Sequence, residues 1–202
     1  MKTFLPFVLF FLYSCCSFAQ APKSTFIVKI GDQEQVVTEG QELTIPPSDQ
    51  PTVLSIKLSE HKTLKTDKIS FDYPSNFSFE TESDIGFKSW TLDGNDYIVT
   101  VFEFAGGTEL NDFAEGLVGQ FGKENCKIKK MEQSIGPKKL SGIGIDVTLI
   151  GQKLTYNILE IFTASEKSCF LVLQDSPKDN GNPSDESIET LEMIGKSVVY
   201  HE

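Results

Sequence analysis

Apolar and polar residues alternate through most of the chain, and this period of two predicts β-strands. Ile69, Phe71 and Tyr73 alternate in this way before Pro74, and the apolar run 97–104 is long enough for a strand in the middle of a sheet. Four more strand segments follow within 126–175, and short turns at 151–152 and 164–167 join the last three. The last three segments therefore predict an antiparallel meander.

Two segments have a helical period instead. The first has an apolar stripe at i, i+3, i+4, i+7, i+8 and i+11, formed by Leu110, Phe113, Ala114, Leu117, Val118 and Phe121. Thr108 is the expected N-cap of this helix, and Gly122 is its expected end. The second helix is predicted over 184–195, with acidic residues in its first turn, and a short end strand follows it. The order of elements is therefore strands, helix, meander and helix.

The region before these elements has a different character. Residues 25–45 contain short apolar clusters separated by turn residues, which predict a small hairpin unit. The proline-rich segment 46–51 interrupts regular structure, 53–58 alternates like a strand, and the lysine-rich 60–68 is expected to be a solvated connection.

The pattern as a whole predicts an α+β fold, an antiparallel β-sheet flanked by two helices, with a short N-terminal β-rich appendage. The predicted organisation is a signal peptide at 1–19, the appendage and connector at 20–66, and the α+β domain at 67–202.

The first residues have the order of a secretory signal. Lys2 precedes an apolar run over 4–13, and the small-x-small tripeptide 17–19 follows it. Two ways of processing fit this segment: cleavage after Ala19, or lipidation of Cys15, since "LYSC" resembles a bacterial lipobox. A buried core helix is the third interpretation. The first two send the chain out of the cell, to the periplasm or beyond, and the second attaches it to a membrane.

Composition narrows the class of partner. The net charge is −11, and all 18 basic residues are lysines. Such acidity disfavours nucleic acid and anionic lipid as partners, and the bidentate guanidinium that reads phosphates and base edges is missing. Contact with a membrane is therefore expected only if Cys15 carries lipid.

Two cysteines remain if residues 1–19 are removed. Cys126 and Cys169 are a disulfide candidate in an oxidising compartment. Two buried free thiols are the alternative interpretation.

Candidate catalytic and metal-binding residues are few. His61 and His201 lie in the connector and near the end of the sequence, where no protected cleft is expected. The acidic loops 93–96 and 175–186 could hold Ca²⁺ or supply two carboxylates to a hydrolase, although neither has the spacing of a calcium-binding loop. The sequence therefore predicts no catalytic residue, no metal ligand and no cofactor.

Three segments carry a resemblance to a known family: "FDYPSNF" (71–77), "ELNDFAEGLV" (109–118) and "LEMIGKSVV" (191–199). Together with the order of elements, they resemble the PsbP/Mog-like family, which includes many small bacterial envelope proteins, over about 68–200. Phe77 stands where family members have Trp, and Val198 stands where they commonly have Phe. The resemblance implies an α+β fold and a partner-binding role, and it implies no catalytic residue.

These observations favour an exported, non-enzymatic binding or accessory protein of the bacterial cell envelope, whose partner is another envelope protein. An acidic-residue hydrolase and a carrier of a small ligand or metal ion in the periplasm are the alternatives.

Overall fold

The computed structural model describes residues 22–45, 47 and 52–201. The predicted signal segment 1–19, with Cys15, lies outside the described residues. The strands of the described part are β1 (Thr25–Ile30), β2 (Gln33–Thr38), β3 (Leu54–Leu58), β4 (His61–Lys65), β5 (Ile69–Pro74), β6 (Ser78–Asp84), β7 (Phe87–Asp93), β8 (Tyr97–Ala105), β9 (Cys126–Ile135), β10 (Lys138–Leu149), β11 (Gln152–Ala164), β12 (Lys167–Asp175) and β13 (Val199–Tyr200). The helices are α1 (Leu110–Phe121), a 3-10 turn (Lys123–Asn125) and α2 (Asp185–Ser197).

Seven strands form one antiparallel sheet, the main sheet, in the order β6-β7-β8-β12-β11-β10-β9. Strand β8 pairs on both sides, as its apolar run predicts. The predicted meander is confirmed, because β10, β11 and β12 pair in succession. The turn between β10 and β11 is Ile150-Gly151, one residue earlier than predicted, because Leu149 pairs with Gln152.

Helix α1 covers one face of the main sheet. It lies where the apolar stripe predicts it, although its N-cap is Glu109 and not Thr108. It ends at Gly122, whose φ of 84° favours glycine. The helix and the sheet enclose a cluster of buried residues: Ala114, Val118, Ile143, Ile145, Val147, Tyr156, Ile158, Phe170 and Val172.

A second, three-stranded sheet in the order β13-β5-β4 covers the opposite face together with α2. Ile69, Phe71 and Tyr73 of β5 are at most 1% exposed, so the face that their alternation predicts is the core between the two sheets. Helix α2 packs against β5 and β9. Its N-cap is Ser184, whose Oγ accepts a hydrogen bond of 3.0 Å from the backbone N–H of Ser187.

The predicted fold class is wrong. The described residues are mostly β-structure, with 55% of them in strands and three sheets, and they do not form an antiparallel sheet flanked by two helices. The reason is that β5 does not join the main sheet but pairs with β4 and β13. Strand β4 lies in the segment expected to be a solvated connection. Three strands therefore supply much of the layer that the prediction gave to a helix.

The third sheet is the N-terminal β2-β1-β3, in the region predicted to be a β-rich appendage. Its strand β3 exposes Leu54, Ile56 and Leu58 by 46%, 63% and 50% of their surfaces, so this small sheet does not bury all of its apolar side chains. Within the described residues, neither helix has the length and apolarity needed to cross a bilayer.

Candidate functional site

A cleft of about 270 Å³ opens at the end of the main sheet where the β6–β7 and β11–β12 turns lie. We call it the end cleft. Its floor belongs to the main sheet and its opposite wall to the β4–β5 turn of the second sheet. The residues around it are Asp67, Lys68, Asp84, Gly86, Phe87, Lys88, Glu103, Phe104, Ala105, Phe162, Lys167, Ser168 and Cys169.

The floor is one row of side chains that runs across four strands. Lys88 pairs with Glu103, Glu103 pairs with Cys169, and Cys169 pairs with Phe162. Paired residues of an antiparallel sheet share a face, so these four side chains lie side by side. Lys167 is two residues before Cys169, so its side chain is on the same face, nearer to the β11–β12 turn.

A β-bulge places Phe162 in this row. The pairing of β11 with β12 skips one residue between Glu160 and Phe162, which brings Phe162 opposite Cys169. In a regular register Ile161 would pair with Cys169 and Phe162 with Ser168, so Phe162 would point to the α1 face. The bulge therefore supplies the aromatic side chain of the floor.

The wall opposite the floor is a hydrogen-bonded turn that holds Asp67 and Lys68. Thr66 donates from its backbone N–H to the carbonyl of Ile69 at 2.9 Å, and its Oγ1 accepts from the N–H of Ile69 at 3.3 Å. The Nζ of Lys68 lies 4.6 Å from the ring centroid of Phe162, a cation–π distance. This contact closes one side of the end cleft.

Opposite charges meet in the end cleft without ion pairing. Within the part of the chain that the structure describes, Lys68, Lys88, Lys167 and Glu103 form no ion pair of 4.0 Å or less. The Oε1 of Glu103 is buried and has no hydrogen-bond partner among the described residues. Such an oxygen carries a desolvation cost that no contact within the described fold offsets.

The thiol of Cys169 is uncharged at neutral pH. Burial raises its pKa to about 12, with a further rise from the charge of Glu103 and an opposing effect from Lys68. The floor row thus places one carboxyl group, that of Glu103, beside a neutral thiol.

The two acidic loops come together at the other end of the main sheet, which we call the anchored end. The Oε2 of Glu186 accepts hydrogen bonds from the backbone N–H groups of Asn95, Asp96 and Tyr97 at 2.8, 2.6 and 2.9 Å. Asp175 accepts from the N–H of Ser184 at 3.2 Å. These carboxylates hold the turn and the helix start together. Among the described residues, no group of three or more His, Cys, Asp or Glu is placed to hold a metal ion.

Both histidines lie on the second sheet and outside the end cleft. The Nε2 of His61 is 3.7 Å from Oδ2 of Asp72, and the Nε2 of His201 is 3.2 Å from Oγ of Ser70. The structure does not bring either histidine next to a cysteine or to the acidic loops.

The predicted disulfide is not formed: Cys126 and Cys169 are both free thiols in the structure. Cys126 packs in the α1-side core and Cys169 in the core on the other face. Their strands β9 and β12 are also three positions apart in the main sheet, about 14 Å at the usual spacing of strands. A disulfide requires Cα atoms within about 7 Å.

Sequence reasoning missed the residues of the end cleft. One signal was present, because Glu103 is a charged residue near the end of an otherwise apolar strand. No sequence pattern marks Lys68, Lys88 and Phe162 as site residues, because strand pairing and the bulge bring them to Glu103.

Neither a protein-family model nor a curated protein sequence matches the chain. Several solved structures resemble it, among them the following two. One, from Bacteroides thetaiotaomicron VPI-5482, has a TM-score of 0.41 and 12% identity, and the match covers 71% of this chain and 50% of that one. The other, LpqN of Mycobacterium tuberculosis, is described as involved in cell envelope biogenesis; its TM-score is 0.37 at 12% identity, with 66% and 83% covered.

This chain therefore spans half the length of the Bacteroides protein. Since both TM-scores are below 0.5, neither likeness supports a shared function, and the resemblance to the PsbP/Mog-like family is not confirmed.

Proposed function

We propose that the chain is an exported, non-enzymatic binding or accessory protein of the bacterial cell envelope, and that the end cleft and its rim are its binding site. The observation that carries this proposal is the uncompensated polarity of the end cleft. Among the described residues, a buried oxygen of Glu103 has no partner, and three lysines around it form no ion pair. Binding sites keep such groups because their partners are supplied from outside.

The rim supports a protein as the partner. Ile85, at the tip of the β6–β7 turn, is fully exposed at 101%, and Phe162 is 36% exposed at the floor. Exposed apolar side chains next to charged ones are a common feature of protein contact surfaces. The secretory pattern of residues 1–19 and the arginine-free acidic composition favour another envelope protein over nucleic acid.

Two features support binding over catalysis. The thiol in the floor row stays protonated at neutral pH, since burial raises the pKa of Cys169 to about 12, and a protonated thiol is a poor nucleophile. The hydrolase alternative is based on the acidic loops. There the carboxylates of Glu186 and Asp175 accept hydrogen bonds from backbone N–H groups. A carboxylate engaged in this way is poorly placed to activate water.

Site-specific photo-crosslinking in the native envelope tests the proposal. A photoreactive residue is placed at Ile85, and a matched one at Ile150, which is 97% exposed in a two-residue turn at the anchored end. We expect one discrete adduct from position 85, removed by Lys88→Ala plus Lys167→Ala, and none from position 150. Equal adducts from both positions, or none from either, would contradict the proposal.

The carrier alternative has its own supporting observation, which is the end cleft itself. Its volume of about 270 Å³ suits a small molecule.

A further inference from the structure

We propose that the end cleft binds a zwitterionic α-amino-acid unit with an apolar side chain, either as a free amino acid or as a dipeptide. This inference rests on the proposed function in taking the end cleft as the binding site; it assigns the cleft itself to a small ligand and leaves the rim to the protein partner.

The ammonium group of such a ligand has the carboxylate of Glu103 to meet in the floor row, and the carboxylates of Asp67 and Asp84 line the cleft around it. The buried Oε1 of Glu103 has no partner among the described residues, and an ammonium group donates up to three hydrogen bonds. A charge-assisted hydrogen bond in a partly buried site is stronger than one between neutral groups. The neighbouring Cys169 thiol is protonated and does not compete for the ammonium group.

The carboxylate of the ligand pairs with two lysines that lie beside Glu103. Lys88 is the cross-strand partner of Glu103, and Lys167 is on the same face of β12. Their ammonium groups are outside ion pairs in the described structure. An α-amino acid carries its ammonium and carboxylate groups on one carbon atom, and a dipeptide carries them at its two ends, so neighbouring opposite charges in the floor match either molecule better than they match a simple cation or anion.

The apolar part of the ligand contacts Phe162 and Cys169, which lie at the β11 end of the floor row. Phe162 is 36% exposed, so part of its ring remains accessible although Nζ of Lys68 lies 4.6 Å from its centroid. Ligand sites for drug-sized molecules are about 300–1,000 Å³. A cleft of about 270 Å³ lies just under this range, which limits the ligand to an amino acid or a dipeptide.

Calorimetric titration of the full chain provides the test, with L-leucine, N-acetyl-leucine, leucinamide and leucyl-leucine as probes. Leucine or leucyl-leucine is expected to bind saturably, and whichever binds more tightly identifies the source of the unit. N-acetyl-leucine lacks the ammonium group and leucinamide lacks the carboxylate, so each is expected to bind at least about tenfold more weakly.

Variants locate the binding. Glu103→Gln and Lys88→Ala are each expected to weaken leucine binding about tenfold, which corresponds to the loss of one charge-assisted hydrogen bond. Glu132→Gln and Lys130→Ala, on the exposed edge strand β9, are the matched controls and are expected to bind as the parent does. Circular dichroism melting of each variant confirms that it is folded.

Three results would each overturn the inference: no saturable binding of leucine or leucyl-leucine, equal binding of N-acetyl-leucine, or an unchanged affinity in folded Glu103→Gln. The crosslinking from position 85 is independent of these titrations. An adduct there without amino-acid binding would reject the ligand class alone, and failure of both experiments would reject the proposed function.

Discussion

The two ends of the main sheet contain carboxylates in opposite situations. At the anchored end, one oxygen of Glu186 accepts three backbone N–H groups of the β7–β8 turn. At the cleft end, one oxygen of Glu103 is buried without any partner among the described residues. Both residues are glutamates: Glu103 lies in strand β8, and Glu186 contacts the turn before it. They differ only in what surrounds their carboxylates.

This difference separates acidic residues that hold the fold from those available to a ligand. A carboxylate that accepts hydrogen bonds from several N–H groups offsets the desolvation cost of all of them, so its removal destabilises the fold. A carboxylate with a buried free oxygen adds such a cost, and it contributes to function only if something else supplies the partner. The comparison therefore predicts a large loss of stability on substitution at the anchored end and little change at the cleft end.

The largest effect is expected from Glu186→Ala. Three backbone N–H groups lose their common acceptor, so the free energy of unfolding should fall by about 2–3 kcal/mol. Urea denaturation followed by circular dichroism measures this change.

Glu189→Ala is the control on the same helix, because Glu189 is exposed and also one turn from the helix start. It is expected to change the stability by less than about 0.5 kcal/mol. An equal loss in both variants would show that helix charge, and not the contact with the turn, stabilises the anchored end.

The next effect is a loss of stability at alkaline pH that originates at the cleft end. The pKa of Cys169 is about 12 in the folded chain against an ordinary value of 9.0. Between these values the unfolded chain releases the proton and the folded chain keeps it. Stability should therefore fall as pH rises above 9, by up to about 1.4 kcal/mol per pH unit from this group.

Tyr73 and Tyr200 contribute in the same direction, since burial raises the pKa of each to about 12. Comparing Cys169→Ala with the parent isolates the thiol: the variant should lose less stability between pH 8 and pH 10.5. Parallel curves would mean that the thiol ionises as readily in the folded chain as in the unfolded one, and the floor row would then hold a second negative charge.

A smaller effect, of opposite sign, is expected at the turn of the anchored end. Ile150 has a φ of 51° and Gly151 a φ of 80°, the geometry of a type I′ turn. A β-branched residue is strained there, whereas Asn tolerates it. Ile150→Asn should therefore raise the free energy of unfolding by about 1 kcal/mol. Ile85→Asn, whose parent residue has no positive φ, should leave stability unchanged and serves as the control.

The sequence predicts the parts of this molecule that depend on local periodicity. The stripe from Leu110 to Phe121 is the helix α1, and the alternation of Ile69, Phe71 and Tyr73 is a buried strand. Gly122 ends the helix as expected, because its positive φ is a local requirement.

Features that depend on which strands pair could not be predicted in this way. The period of β5 shows a buried face, but not that β5 pairs with β4 and β13 and leaves the main sheet. The same limit applies to the end cleft, whose floor joins Lys88, Glu103, Cys169 and Phe162 from four strands. It applies equally to the cysteines, since only the register places Cys126 and Cys169 on opposite faces.

The smallest effect on stability is expected from Glu103→Gln. The substitution removes a charge whose buried oxygen has no partner among the described residues, while it also removes the attraction to Lys88 and Lys68. These two changes oppose each other, so the free energy of unfolding should move by less than about 0.5 kcal/mol. Glu82→Gln, on the exposed edge strand β6, is the control in the same urea denaturation. A loss above about 1.5 kcal/mol in Glu103→Gln would show that this carboxylate stabilises the fold as Glu186 does, and the two ends would no longer differ.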